Sequence, residues 1–223
     1  SGYPSTQQIS NIQYILSLLA LKLIDNKRYG QDDVWAFYRG TGLFAYLKNL
    51  PKNAIVLVIV SAQHHQELNL FLLKYWMDLA KRNGTYISLN RPYGNLLETL
   101  NQGKIDAGKL FFIDCVTKNE VDIPNCYFLK TQQSLTNLSI AISSVLKSDK
   151  PSFIFLDSLN TLALYNEKSA AIKFGHFLIT KLRSNEVDGI ILATPDEKNK
   201  DIINELSQIS DKVIDLTDTT FFV

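Results

Sequence analysis

Short apolar runs alternate with longer amphipathic segments between residues 54 and 216. The first run, residues 54–60, reads AIVLVIV, a stretch of β-branched and aliphatic residues typical of a strand buried on both faces. The segment at 67–81 has apolar residues at helical spacing, namely Leu68, Phe71, Leu72, Tyr75, Trp76 and Leu79. The pattern therefore predicts a strand followed by a helix that covers it.

The same alternation continues to residue 216. It predicts further strands at 85–89, 109–114, 125–129, 152–157, 189–194 and 212–216. It predicts further helices at 93–101, 135–146, 167–183 and 198–209. Because strands joined by helices run parallel through right-handed crossovers, we expect an α/β fold of three layers, with a mostly parallel sheet and helices on both faces.

Residues 1–50 follow a different pattern. Residues 6–24 predict a helix that is apolar nearly all round, and residues 32–47 predict a second helix, weakened by Gly40 and Gly42. We therefore expect a helical extension over 1–50 and an α/β domain over 51–223. The first helix either packs wholly on its own domain or is covered in part by a partner subunit. Its polar interruptions make it too hydrophilic for a membrane span.

Composition changes this picture only slightly. The 223 residues are 46% hydrophobic and 20% charged, enough to bury a full core. Lys and Arg number 23 against 22 Asp and Glu, which gives a net charge of +1. This net charge does not indicate nucleic-acid binding, although a local basic patch is compatible with it. Cys115 and Cys126 are expected to be small core residues, and such sparse cysteine use fits a reducing, cytoplasmic setting.

Polar residues follow the predicted strands at the edge where a parallel sheet binds its ligands, outside the carboxyl ends. The first strand is followed by SAQHHQEL at 61–68, and the second by Asn90 and Arg91. Asp114 and Asp157 each stand at the end of a later strand. Any chemistry of this chain is expected at these positions.

The order of these segments resembles the core of the RecA-superfamily ATPases, above all the KaiC-like group of archaea and bacteria. The second strand reads YISLN at 86–90, where that group has Tyr-Ile-Ser followed by acidic residues. LFFID at 110–114 resembles the segment that forms its third strand, and FIFLDSL at 153–159 resembles its Walker B strand. The resemblance extends over residues 54–216.

The chain departs from that family at the phosphate loop. The family pattern is Gly-x4-Gly-Lys-Ser/Thr, in which backbone N–H groups wrap the phosphates, the Lys contacts the β and γ oxygens, and the hydroxyl holds magnesium. The matching positions here are Ser61, Gln66, Glu67 and Leu68. A carboxylate repels a triphosphate. We therefore expect neither ATP nor magnesium as a cofactor, and no catalytic residue.

The neighbouring strand ends leave alternatives open. Asn90 replaces the residue that would polarise water, and an amide is no base at neutral pH. Asp157 keeps the family's residue, yet we favour a role in capping a turn over one in binding metal. His64 and His65 make half of a metal site at most, and we predict no metal. Arg91 either binds an anion at a helix start or is solvated there.

The resemblance implies a catalytically inactive RecA/KaiC-like protein that acts as a regulatory or assembly module, binding a partner protein or copies of itself. Certain Elongator subunits are precedents for such degenerate members. A first alternative is a non-hydrolysing sensor of a nucleotide or small anion, with its site formed by Ser61, His64, Gln66, Glu67, Asn90, Arg91 and Asp157. A second is a metal-dependent hydrolase using His64, His65, Asp114 and Asp157. A serine-hydrolase triad is not expected, because no Gly-x-Ser-x-Gly elbow occurs.

Overall fold

The structure of this protein is a computed structural model that describes residues 47–79, 82–118, 122–129, 134–148 and 150–217. The chain divides into two units, Lys52–Leu216 and Ser1–Pro51 together with Thr217–Val223. The helix expected at 6–24 lies outside the described residues. So does the helix expected at 32–47, except for its last residue.

The described part of the unit Lys52–Leu216 contains one parallel sheet of seven strands. The strands are β1 (Ile55–Val60), β2 (Gly84–Ser88), β3 (Leu110–Asp114), β4 (Cys126–Phe128), β5 (Phe153–Asp157), β6 (Asp188–Ala193) and β7 (Lys212–Leu216). Their order across the sheet is β4-β3-β2-β5-β6-β1-β7. Because β5 and β6 insert between β1 and β2, the carboxyl end of β5 lies between the loops that follow β1 and β2.

Six α-helices connect the strands in the described residues. They are α1 (His65–Lys74), α2 (Tyr93–Gln102), α3 (Leu135–Ser148), α4 (Leu159–Tyr165), α5 (Lys168–Ser184) and α6 (Lys200–Ile209). The helix predicted at 67–81 begins earlier and leaves α-helical geometry at Tyr75, where a π-helical turn, Tyr75–Leu79, follows. The short helix α4 was not predicted. No described helix is long and apolar enough to cross a membrane.

Helices cover both faces of the sheet. On one face, α3 to α6 pack on alternate strand residues such as Ile55, Leu57 and Ile59 in one buried cluster. On the other face lie α1 and α2, where Tyr86 of β2 stacks on Phe155 of β5 with 5.3 Å between ring centroids. The predicted fold class, a three-layer α/β protein with a parallel sheet, is confirmed.

Glycine begins β2 because of a close approach between neighbouring strands. A Cβ atom added to Gly84 would lie 2.3 Å from the Phe153 ring of β5, far inside van der Waals contact. Phe153 is itself fully buried. Gly84 therefore lets β2 and β5 pair beside a large aromatic ring, which brings the carboxyl ends of these two strands together.

Candidate functional site

The loop after β1 is a short turn that leads directly into α1. The backbone N–H of His64 donates to the carbonyl of Ser61 at 3.1 Å, and the N–H of Leu68 donates to the carbonyl of His64 at the same distance. The turn thus uses one of its own N–H groups internally. A phosphate cradle needs such groups pointing outward.

The side chains at the positions of the phosphate loop point in different directions. Gln66 and Glu67 are exposed, whereas Leu68 is buried in the core beneath α1. The Glu67 carboxylate is 54% exposed and lies 3.5 Å from His64 Nδ1. Ser61 Oγ is buried without a hydrogen-bond partner. At its solvent side the loop therefore presents a carboxylate, a glutamine amide and an imidazole.

Asp157, at the end of β5, is fully buried and bound by side chains of the protein itself. Its Oδ2 accepts hydrogen bonds from Tyr86 Oη at 2.5 Å and from Asn69 Nδ2 at 2.9 Å. Asn69 also donates to the Tyr86 hydroxyl at 2.8 Å, so the three side chains form a closed cluster. Asn90 Nδ2 lies 3.4 Å from Asp157 Oδ1. The carboxylate is therefore held by α1 and β2.

His65 completes this cluster on the side of the loop. Its Nε2 lies 3.1 Å from Asp157 Oδ1, although the angles do not meet hydrogen-bond geometry and Nε2 is buried with no hydrogen-bond partner. The imidazole of His65 therefore lies beside Oδ1, the oxygen of Asp157 that Tyr86 and Asn69 do not reach.

Burial around Tyr86 changes the acidity of its phenol. Tyr86 is fully buried, and this desolvation raises the pKa of its hydroxyl well above the usual value of 10.0. The Asp157 carboxylate raises the pKa further, by its charge and by its hydrogen bond, while the hydrogen bond from Asn69 and the charge of Arg91 oppose the rise. The phenol is thus a proton donor to Asp157 over the whole neutral range.

The two residues that follow β2 contribute unequally to the site. Asn90 reaches Asp157, whereas the backbone of Arg91 is bound locally, since Ser88 Oγ donates to its carbonyl at 2.6 Å. The guanidinium of Arg91 is near enough to influence the pKa of Tyr86. A carboxylate of the protein occupies the place at the start of α2 where an anion was considered. It accepts a hydrogen bond from the N–H of Tyr93 at 2.7 Å.

That carboxylate belongs to Asp114, at the end of β3. It is 1% exposed and accepts from the N–H groups of Val116 and Thr117, at 2.6 and 2.9 Å, and from the Thr117 hydroxyl. Asp114 thus has the capping role that we favoured for Asp157. The prediction for Asp157 is wrong, because the hydrogen bonds that reach its side chain come from other side chains and none from a backbone N–H of a described residue.

The side chains proposed for a metal site are not brought together. His65 faces Asp157, but His64 faces Glu67, because adjacent residues at a helix start point in different directions. Asp114 and Asp157 end strands on opposite sides of β2. In the part of the chain that the structure describes, no group of three or more His, Cys, Asp or Glu side chains could hold a metal ion. The geometry gives the metal-dependent hydrolase no support.

Two residues of the cluster were not predicted from the sequence. Asn69 interrupts an otherwise apolar stretch of α1, LNLFLL, and stands four residues after His65, on the same side of the helix. A buried amide within an apolar helix face needs a polar partner, and this was the available signal. Tyr86 gave none, because tyrosine is common in buried strands.

Comparison with known proteins identifies the fold. No family model matches the chain, and no curated protein matches its sequence. Among solved structures it is similar to the KaiC-like protein PH0186 of the hyperthermophilic archaeon Pyrococcus horikoshii OT3. The identity is 16% and the TM-score 0.54, over 76% of this chain and 74% of that chain. The sheet with Asp157 at its centre therefore has the fold of this KaiC-like protein.

Proposed function

We propose that this protein is a KaiC-like, RecA-type domain that does not hydrolyse ATP and that acts as a regulatory or assembly module through contacts with proteins. The observation that carries the proposal is the state of Asp157. Its carboxylate is enclosed by Asn69, Tyr86 and His65, and both of its oxygens face groups of the protein. An acid that must orient a hydrated magnesium ion needs an oxygen open to that ion.

The loop after β1 supports the same conclusion. A triphosphate needs cations and outward-pointing N–H groups. This loop has the exposed carboxylate of Glu67 instead, and the N–H of His64 donates to the carbonyl of Ser61 within the loop. The residues present do not fit ATP with magnesium. Asn90, which reaches Asp157, leaves the strand end without a base to activate water.

We propose a role in protein interaction because a domain without ATP hydrolysis can still act through its surface. The sheet and its helices form a well-packed scaffold, so the surfaces of the helices are available for contacts with a partner or with further copies. We place the protein in the cytoplasm, because Cys115 and Cys126 are both buried and unpaired, as expected in a reducing compartment.

A non-hydrolysing sensor of a small anion is the second candidate, and Arg91 is the observation that favours it. Arg91 follows the carboxyl end of β2 by three residues and is partly exposed, and its charge lowers the pKa of the buried Tyr86. An anion above this strand end would meet Arg91 and the imidazole of His64. It would also meet Glu67 across the same loop, which is why we rank this candidate below the first.

ATP turnover and ATP binding by the purified full chain test the proposal. We expect no phosphate release above that of buffer, and no shift in melting temperature with ATP, ADP or magnesium. Turnover that Asp157→Asn abolishes would overturn the proposal. A shift without turnover would favour the sensor.

A matched pair of variants tests the electrostatic part separately. Glu67→Lys replaces the carboxylate of the loop by a cation, whereas Glu98→Lys makes the same change on the exposed side of α2. We expect a detectable heat of ATP binding by calorimetry in Glu67→Lys, and none in wild type or in Glu98→Lys. Equal gains in both variants would mean that only net charge matters.

A further inference from the structure

Two helices on one face of the sheet, α3 and α5, carry positive charges and no acidic residue within their bounds, whereas α6 on the same face has Asp201 and Glu205. The helices α3, α4 and α5 contain Lys147, Lys168, Lys173, Lys181 and Arg183 and no Asp or Glu, in a chain whose net charge is only +1. Lys147, Lys181 and Arg183 lie in the last turns of their helices, where they also complement the helix dipole. That role needs no more than one cation at each end. It does not explain Lys173 in the middle of α5.

The cations at the two ends of α5 already bind carboxylates. Lys168 Nζ lies 2.7 Å from Asp201 Oδ2, and Arg183 Nη2 lies 2.9 Å from Asp211 Oδ1. The basic face, which we define as Lys173, His176 and Lys181, has no ion pair with another described residue. Lys173 and His176 are exposed one turn apart, and Lys181 follows on the same side. The middle of the helix thus has the cations but lacks the acids.

An apolar side chain lies inside the basic face. Phe177 is partly exposed, and the ammonium of Lys181 lies 5.9 Å from the centroid of its ring. Exposed aromatic rings surrounded by charged groups are typical of protein interfaces, where the ring is buried and the charges form the rim. The face therefore combines an apolar anchor with groups that bind carboxylates.

Nucleic acid and membranes fit this face less well. Proteins that bind duplex DNA tightly make roughly 6–10 phosphate contacts, and the basic face has two lysines and one histidine. A helix that binds a membrane surface turns its apolar side to the lipid, but the apolar side of α5, with Phe174, Leu178 and Leu182, is buried in the core. A short acidic polypeptide needs only a few such cations.

We propose that the basic face of α5 binds an acidic segment of a partner protein, whose carboxylates pair with Lys173 and Lys181 and whose apolar side chain packs on Phe177. This proposal rests on the protein-interaction role proposed above and names the chemistry of the partner. It would make the basic face the docking surface, on the side of the sheet opposite α1 and α2.

Fluorescence anisotropy of a fluorescein-labelled oligo-glutamate peptide with the full chain tests this proposal. We expect salt-sensitive binding that weakens by about tenfold or more in Lys173→Glu/Lys181→Glu. The matched control is Lys52→Glu/Lys212→Glu, which changes the net charge equally at exposed positions outside the helices. A single-stranded oligonucleotide and vesicles containing phosphatidylserine are measured in parallel.

The outcomes separate cleanly. Loss of peptide binding in the α5 variant alone supports the proposal. The proposal would be overturned if wild type did not bind the peptide, or if both double variants lost binding equally. It would also be overturned if the oligonucleotide or the vesicles bound more tightly than the peptide and the α5 variant abolished that binding. ATP turnover is measured on the same samples, because turnover would refute the proposed function whatever the peptide does.

Discussion

Asp114 and Asp157 end strands on either side of β2, and both carboxylates are buried, yet they are bound in opposite ways. Asp114 accepts from the backbone N–H groups of Tyr93, Val116 and Thr117. Asp157 accepts from side chains, those of Asn69, Tyr86 and, more weakly, Asn90. The same residue type at equivalent places in the sheet therefore serves two different purposes.

The difference distinguishes a carboxylate that is fixed by the backbone from one that is bound by side chains. Backbone donors are fixed by the course of the chain, so Asp114 stabilises the start of α2 and the turn after β3 whatever the surrounding side chains are. The donors to Asp157 are replaceable side chains from α1 and β2. The hydrogen bonds of Asp157 can therefore be changed by single substitutions.

The largest effect is expected for Asp114→Asn. An amide keeps one acceptor oxygen but turns an NH₂ group toward backbone N–H groups that donate to Asp114 in wild type, and a buried donor left unsatisfied costs about 1–3 kcal/mol. We therefore expect the free energy of unfolding to fall by about 2–3 kcal/mol, as measured by urea denaturation.

Asp106→Asn is the control for this prediction. Asp106 caps the 3₁₀ turn Ala107–Lys109 through the N–H of Gly108, at 3.0 Å, but in an exposed position where water can replace the lost acceptor. A loss of below about 1 kcal/mol is expected there. Equal losses at both positions would contradict the burial argument for Asp114.

Most of the fold could be predicted from the sequence, because each element of the sheet is specified by its own residues. The run of β-branched residues in β1 excludes a solvent-facing strand, and the bounds predicted for β7 agree with the structure. The short helix α4 was missed, because its seven residues make fewer than two full turns of apolar spacing. The π-helical turn after α1 leaves no local signal of this kind.

The site was predicted less well, for a physical reason. Which loop residues lie at strand ends follows from the order of elements, so Asp157, His65 and Asn90 were placed in one region. Their hydrogen-bond partners depend on contacts between residues far apart in sequence, as with Tyr86 and Asp157. An Asp at a strand end looks the same whether it caps a turn or binds a tyrosine, and only the packing of α1 distinguishes the two.

An intermediate effect is expected for Tyr86→Phe, and it depends on pH. Burial raises the pKa of Tyr86 above 10.0, so the folded chain holds this proton more tightly than the unfolded chain. The resulting stability is complete below about pH 10 and is lost as the pH rises toward the folded pKa. We expect wild type to lose stability in this alkaline range, and Tyr86→Phe to lose less.

At neutral pH the same variant removes the hydroxyl that donates to Asp157 and accepts from Asn69. Because Asn69 keeps its own bond to Asp157, we expect a cost of about 1–1.5 kcal/mol. Tyr127→Phe is the matched control, because Tyr127 of β4 is 51% exposed. Denaturation curves at neutral and alkaline pH should show the altered pH dependence in Tyr86→Phe alone. An unchanged alkaline profile in that variant would contradict the role of Tyr86 burial.

The smallest effect is expected for Asp157→Asn, despite the complete burial of this residue. The amide oxygen can accept from Tyr86 and Asn69 as Oδ2 does now. Its NH₂ group faces the buried His65 Nε2, which has no hydrogen-bond partner, and the substitution loses only the long bond from Asn90, 3.4 Å. The substitution also removes a buried charge, whose desolvation opposes folding. We therefore expect the free energy of unfolding to change by less than about 1 kcal/mol, in either direction. A loss as large as that of Asp114→Asn would show that the negative charge itself is needed at the end of β5, as it would be if a cation bound there, and the distinction between the two carboxylates would fail.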